Sequence, residues 1–148
     1  MPRLATLLLL LVFPALASAA PVPKAKVKDE EAMLGKWKLV ELIKDGKPTG
    51  RDLRGDVATI DGKIIAVNRG DGNGGEAGAY DLDSTRKHFD LGPPGPSLDA
   101  PQKGRYELDG DTLVIALRMG QGGERPADVK SGPGVAYLKL RRVVEEQK

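Results

Sequence analysis

Leu34-Gly35-Lys36-Trp37-Lys38-Leu39-Val40-Glu41-Leu42-Ile43-Lys44-Asp45-Gly46 is the stretch whose reading decides the fold. It holds the chain's single tryptophan, an apolar-rich run and a turn signal that closes it. At period two, Trp37, Leu39, Glu41 and Ile43 share one side, and Lys38, Val40, Leu42 and Lys44 the other. Apolar residues on both sides suit a long first strand buried first on one face and then on the other. Leu39, Leu42 and Ile43 also sit at helical spacing. The Gly35 start, the aromatic and β-branched content and the Asp45-Gly46 stop favour a strand. Asp-Gly tolerates the positive φ of a tight turn, so the strand ends there.

Upstream, residues 1–19 have the anatomy of a secretory signal peptide. Arg3 is the only charge, Leu4 to Leu16 is an almost unbroken apolar run, and Ala17-Ser18-Ala19 fits a small-x-small cleavage site. The run is about 13 residues, short of the roughly 20 that span a bilayer, so cleavage near Ala19 and no stable membrane insertion afterwards are expected. The mature chain is then secreted or periplasmic. It has no cysteine, hence neither a disulfide nor a lipidated-cysteine anchor, and must be stabilised by its core alone.

Removing 19 residues from 148 leaves 129, enough for one domain, with 22 basic against 21 acidic side chains. That balance argues against a nucleic-acid partner, which needs a basic excess on one face. Residues 20–33 read as a linker and a short helical turn. Pro21 to Lys28 is basic and proline-bearing, and suits a solvated linker better than an arm on an anionic membrane. Asp29 to Leu34 forms the turn, with Asp29 as N-cap and Gly35 ending it.

Downstream, Val57–Ile60 and Lys63–Val67 flank Asp61-Gly62, a two-residue hairpin signal. Lys47 to Gly55 is a polar connection, and Arg69 to Gly75 a glycine-rich loop. Glu76–Leu82 and His88–Leu91 read as strands around an Asp83-Ser84-Thr85 turn. Gly92 to Gln102 carries Pro93, Pro94, Pro96 and Pro101 and is no paired central strand. Gly104–Leu108 and Thr112–Arg118 meet at Asp109-Gly110-Asp111, with Leu113, Ile115 and Leu117 on one face. Met119 to Gly134 is a long loop, Val135–Val143 the closing strand, and residues 144–148 a polar tail. Eight short strands with regular turns and no long amphipathic helix predict an all-β fold. A roughly eight-stranded antiparallel barrel over residues 34–143 is preferred to a sandwich, because closure removes exposed edges.

Gly35-Lys36-Trp37 near the start of the first strand resembles the G-x-W of lipocalin-type barrels. In those barrels an arginine of the last strand packs over the tryptophan, and Arg141 or Arg142 is placed to match. More closely, the chain resembles an uncharacterised family of small secreted lipocalin-like domains abundant in Planctomycetes. The matching pieces are Gly35–Val40, Asp45-Gly46-Lys47-Pro48, Tyr80–Asp83, Gly104–Leu113 and Glu124-Arg125-Pro126. The resemblance covers Leu34 to about Arg142. It implies a calycin-like barrel and export, and carries no established activity, ligand or catalytic residue.

Enzymatic chemistry finds little support in the residues. With no cysteine and the single His88, there is no thiol nucleophile and no multi-histidine metal cluster. Ser84, Ser97 and Ser131 lie in turn or proline- and glycine-rich contexts, without a nucleophile elbow. Asp109 and Asp111 are explained by their hairpin turn. Asp71-Gly72-Asn73-Gly74-Gly75-Glu76 alternates oxygen ligands as a calcium loop would, but lacks the third acidic position and the following helix. No catalytic residue, cofactor or metal is therefore assigned.

Trp37 reads as a plug of the barrel's closed end rather than as pocket lining. Eight-stranded barrels are either just filled by side chains or hold one small ligand. Ile43, Ile64, Leu82, Phe89, Leu113, Ile115 and Leu138 are the candidate interior ligand contacts. Ile60, Val67, Leu108, Leu117 and Leu140 are expected to face inward with them. Two readings follow: a non-catalytic domain binding a small apolar ligand, or a filled barrel presenting its two long loops to a protein or the cell envelope.

Overall fold

The computed structural model describes residues 27–95 and 98–145. The expected signal peptide, residues 20–26 of the linker and residues 146–148 of the tail lie outside the described residues.

One helical turn, α1 (Asp29–Ala32), precedes nine strands. These are β1 (Gly35–Lys44), β2 (Lys47–Pro48), β3 (Val57–Asp61), β4 (Ile64–Asn68), β5 (Gly75–Asp83), β6 (His88–Gly92), β7 (Gln102–Asp109), β8 (Thr112–Arg118) and β9 (Val135–Arg142). Strands β3 to β9 follow one another as an antiparallel meander, and β1 pairs with both β3 and β9. The result is a closed eight-stranded antiparallel barrel, with β2 added along the far half of β1. All eight expected strands are present, and β2 is the addition. Asp45 and Gly46 both take positive φ, 53° and 72°, which folds β2 back onto β1 as a tight hairpin.

Two local features decide which residues point inward. The pairing of β1 with β9 shifts between Leu39↔Leu140 and Glu41↔Lys139, so Val40 is an extra residue in a β-bulge. Before it, Trp37 and Leu39 are buried; after it, Leu42 and Lys44 face the interior and Ile43 does not. Simple alternation from Trp37 puts Ile43 inside, and the bulge reverses that. The second feature is the β3–β4 hairpin. Asp61 pairs with Ile64, so the loop is Gly62-Lys63, with Gly62 at φ 51°. The sequence signal Asp61-Gly62 lies one residue earlier. Ile60 pairs with Ile65 inside the barrel, while Ile64 faces outward at 39% exposure. A one-residue difference in register exchanges the faces of a strand.

The core gathers at the end where β1 begins. Met33, Trp37, Phe89, Tyr106, Leu113 and Leu140 have no exposed surface, and Ile60 and Ile115 almost none. Tyr80 stacks on Phe89 with centroids 5.2 Å apart and planes 8° from parallel. Trp37 donates its indole N–H to the Met33 carbonyl at 2.8 Å. Of the two candidate arginines, Arg142 lies over the indole, 4.1 Å from its centroid, and Arg141 is exposed. The Arg142 guanidinium donates to the Leu34 carbonyl at 3.1 Å and to the Ala32 carbonyl, and its Nε lies 3.2 Å from Asp111. It therefore satisfies carbonyls at the end of α1 that the helix leaves without partners. Asp29 is the first helical residue rather than the N-cap, which is Lys28. Its carboxylate accepts from the Tyr106 hydroxyl at 2.7 Å and pairs with Lys87, which also stands over the Tyr106 ring.

Two measurements check this end of the barrel. Trp37→Ala removes the largest buried side chain and is expected to cost about 3–5 kcal/mol in urea denaturation. Arg142→Lys is expected to be destabilising too, because a single ammonium cannot replace a planar fork on an aromatic face. The second measurement concerns Tyr106, whose pKa is raised first by burial, then by its hydrogen bond to Asp29. A raised folded pKa favours the protonated form, so that stability is complete below the unfolded value of about 10 and falls as pH rises past it. Tyr80 and Tyr137 act with the same sign. Between about pH 9 and pH 11, Tyr106→Phe is expected to lose stability less steeply than the parent.

Candidate functional site

Away from Trp37 the barrel opens into a cavity of about 450 Å³. Leu39, Leu42, Ile65, Val67, Phe89, Leu91, Ile115, Leu117 and Leu138 supply its apolar wall. Leu42, Leu138 and Ile115 are lateral neighbours across β1, β9 and β8. Space is left because the far halves of several strands carry small residues. Ala77, Gly78, Gly92 and Ala136 line the cavity, whereas Trp37, Tyr106 and Leu113 fill the other end. At Gly78 a Cβ would come within 2.8 Å of the Leu91 side chain and 2.9 Å of the Gly92 carbonyl oxygen. The glycine is thus what lets Leu91 lie against the wall.

The mouth is polar and largely cationic. Lys44 ends β1, Arg69 follows β4, Glu76 lies near the start of β5, Gln102 begins β7, and Gln121 follows β8. Arg51 enters from the connection between β2 and β3, and Pro93 and Ala100 from the proline-bearing loop. Arg69 pairs with Glu76 at 3.1 Å, and Lys44 makes no ion pair among the described residues. Arg51 Nη2 lies 2.6 Å from Asp56, which is 1% exposed. Asp56 also accepts the Gly70 N–H at 2.9 Å, and its backbone carbonyl accepts from Leu39 at 3.0 Å. One buried residue, through its carboxylate and its backbone carbonyl, thereby joins β1, the 49–56 connection and the β4–β5 loop. Arg51 Nη1, by contrast, is buried without a hydrogen-bond partner, the one such side-chain atom among the described residues.

Of the seven candidate interior contacts, Phe89, Ile115 and Leu138 line this cavity together. Leu113 is fully buried in the core without lining it. Leu82 borders a smaller cleft of about 200 Å³ at the Trp37 end, beside Glu30, Lys63 and Tyr80. Ile43 and Ile64 face away, for the reasons of bulge and hairpin register given above. Trp37 lies outside the cavity lining. Leu42 was legible as a departure from alternation, since Leu39 and Leu42 are three apart within one strand. Arg51, Asp56 and Arg69 carry no such pattern, because they lie in connections.

The other motifs have structural employment. Asp71 accepts the Asn73 N–H at 2.9 Å, a bond that holds its carboxyl below the usual range. Asp111 supports Arg142. His88 is half-buried on β6; desolvation lowers its pKa, and the cations Arg125 and Arg105 lower it further. Among the described residues no group of three or more His, Cys, Asp or Glu is placed to hold a metal ion.

The long 119–134 loop is fastened along its length. Arg118 donates to the Glu124 carbonyl at 2.8 Å, and Arg105 to that of Pro126 at 2.8 Å. Arg125 forks onto Asp90 and the Gly104 carbonyl, and Gly134 donates to Asp45 at 2.8 Å. Compared with family models, curated proteins and solved structures, the chain matches none.

Asp56→Ala strands the Arg51 guanidinium and the Gly70 N–H together. It is expected to cost about 2–4 kcal/mol in urea denaturation, even with Arg51 free to rehydrate.

Proposed function

We propose that this chain is a non-catalytic, exported, lipocalin-like carrier that binds one small apolar molecule inside its barrel. The observation that carries the reading is the cavity itself. Its volume of about 450 Å³ lies within the range of small-molecule sites, roughly 300–1,000 Å³. Its wall is aliphatic with one phenylalanine, and its polar groups are confined to the mouth. Burying an apolar ligand there removes hydrocarbon from water at about 25 cal/mol per Å². Export rests on the leader-like residues 1–19, and the kinship on the G-x-W and the four further matches to the secreted Planctomycete domains.

The alternative reading gives the two long loops to a protein or envelope partner. Arginine bonds and the burial of Pro126 hold the 119–134 loop against the barrel, so it presents a preformed surface. The cavity favours the carrier.

The test is titration with the neutral apolar fluorophore N-phenyl-1-naphthylamine. One site per chain with micromolar affinity is expected, together with its loss in Ala136→Trp, which places an indole in the cavity. Undiminished binding in that variant would move the site elsewhere. No binding by the parent would leave the loops as the working interface.

A further inference from the structure

The outer face of β6 and β7 carries a compact set of charges that the cavity does not use. Phe89 and Tyr106 point into the core, so alternation turns His88 and Asp90 of β6, and Lys103 and Arg105 of β7, outward. His88 stands directly opposite Arg105 on one side and Asp83 of β5 on the other. The 119–134 loop is fixed to the same face. Arg125 forks onto Asp90, two positions from His88 along the strand, and donates to the Gly104 carbonyl at 2.6 Å. Arg105, the cross-strand neighbour of His88, donates to the Pro126 carbonyl at 2.8 Å and to that of Arg86 at 3.3 Å. Pro126 is buried, and so is Ala116, which faces outward between Ile115 and Leu117 beside Arg105. The loop therefore lies over the β7–β8 face, with two of its arginine fastenings next to the chain's only histidine.

We propose that the 119–134 loop is a pH-sensitive strap, fastened at neutral pH and loosened when His88 takes up a proton. A neutral imidazole leaves the two guanidiniums to their acceptors. An imidazolium adds a third positive charge beside them, and like charges at neighbouring positions oppose one another. Carboxylates reduce that opposition without removing it. Asp90 is taken up by Arg125, and Asp83 accepts the Thr85 and Arg86 N–H groups and lies 3.5 Å from the Arg86 guanidinium. Asp81 and Lys103, opposite Asp90 on its two sides, are both exposed, and Lys87 turns away to Asp29. Burial lowers the His88 pKa, and Arg125 and Arg105 lower it further, against Asp83 and Asp90. A histidine with a lowered folded pKa contributes stability that is complete above the unfolded value of about 6.5 and is lost as pH falls below it. Opening the strap takes Arg125 away from His88, so the lost stability falls on the strap. The strap also reaches the cavity mouth through Gln121, held between Gly120 and Gly122 at φ 82° and 75°. Its loosening is independent of what the chamber holds.

The experiment follows hydrogen exchange of the 119–134 segment by mass spectrometry, corrected for the intrinsic effect of pH on exchange. The two conditions, about pH 7.5 and about pH 5.5, bracket the imidazole and stay above the carboxylate range. In the parent, protection of the segment is expected to fall about two- to fivefold at the lower pH, the scale of interactions between partly exposed charges. His88→Gln is expected to keep full protection at both. Arg125→Gln is expected to raise the His88 midpoint in an NMR titration, because the coupling between the two is reciprocal. Unchanged protection in the parent would overturn the strap, and an equal loss in His88→Gln would overturn the role of His88. A His88 midpoint unmoved by Arg125→Gln would likewise separate the imidazole from the latch.

Discussion

The barrel depends on one contact, the Arg142 guanidinium lying over Trp37. These two residues are cross-strand partners, Trp37 on the first strand and Arg142 on the last, so their contact lies on the seam where the sheet closes. Closing the sheet there satisfies the edges of β1 and β9, which would otherwise offer unpaired backbone to other chains. The arginine does more than stack. Its donors reach the carbonyls of Ala32 and Leu34, tying the helical turn across the end of the barrel. The indole N–H reaches Met33 from the other side. A chain without disulfides must find this staple among its side chains, and a planar cation on an aromatic face supplies packing and hydrogen bonds together.

The bulge at Val40 separates that sealed end from the open one. Along β1, Trp37 before it belongs to the plug and Leu39 to the floor of the cavity, and Leu42 and Lys44 after it belong to the cavity wall and mouth. Were Val40 paired regularly instead of bulged, Glu41 and Ile43 would point inward and Leu42 outward. A carboxylate would then face the apolar chamber, at a desolvation cost that alternation alone does not reveal. The bulge puts leucine in the chamber and the lysine ammonium at its rim.

Much of the fold was legible because it rests on local signals. Eight apolar or alternating runs between Gly, Pro and Asp turns gave eight strands, and Gly35-Lys36-Trp37 with a late arginine gave the seam. Three of the seven interior contacts, Phe89, Ile115 and Leu138, face the cavity because β6, β8 and β9 alternate regularly over those positions. Ile43 and Ile64 were misplaced where alternation is interrupted. A bulge and a hairpin loop displaced by one residue are set by pairing with a neighbour, and a single strand's pattern does not contain its partner's register. The mouth was illegible for a further reason. Arg51, Asp56 and Arg69 lie in polar connections, where any charged residue reads as solvated; only the folded chain shows that Asp56 is buried and that Arg51 is held against it.

The two ends of the barrel differ in how fully their side chains fill space and satisfy one another. Large side chains with satisfied polar atoms collect around Trp37, where the indole N–H and the Tyr106 hydroxyl all have partners. The far end carries glycine and alanine in its wall, with an unsatisfied guanidinium nitrogen at its rim. Each is unfavourable for stability: an unfilled wall forgoes dispersion contacts, and a buried donor without a partner forgoes its hydration. Both can persist because the plugged end keeps the barrel closed without them.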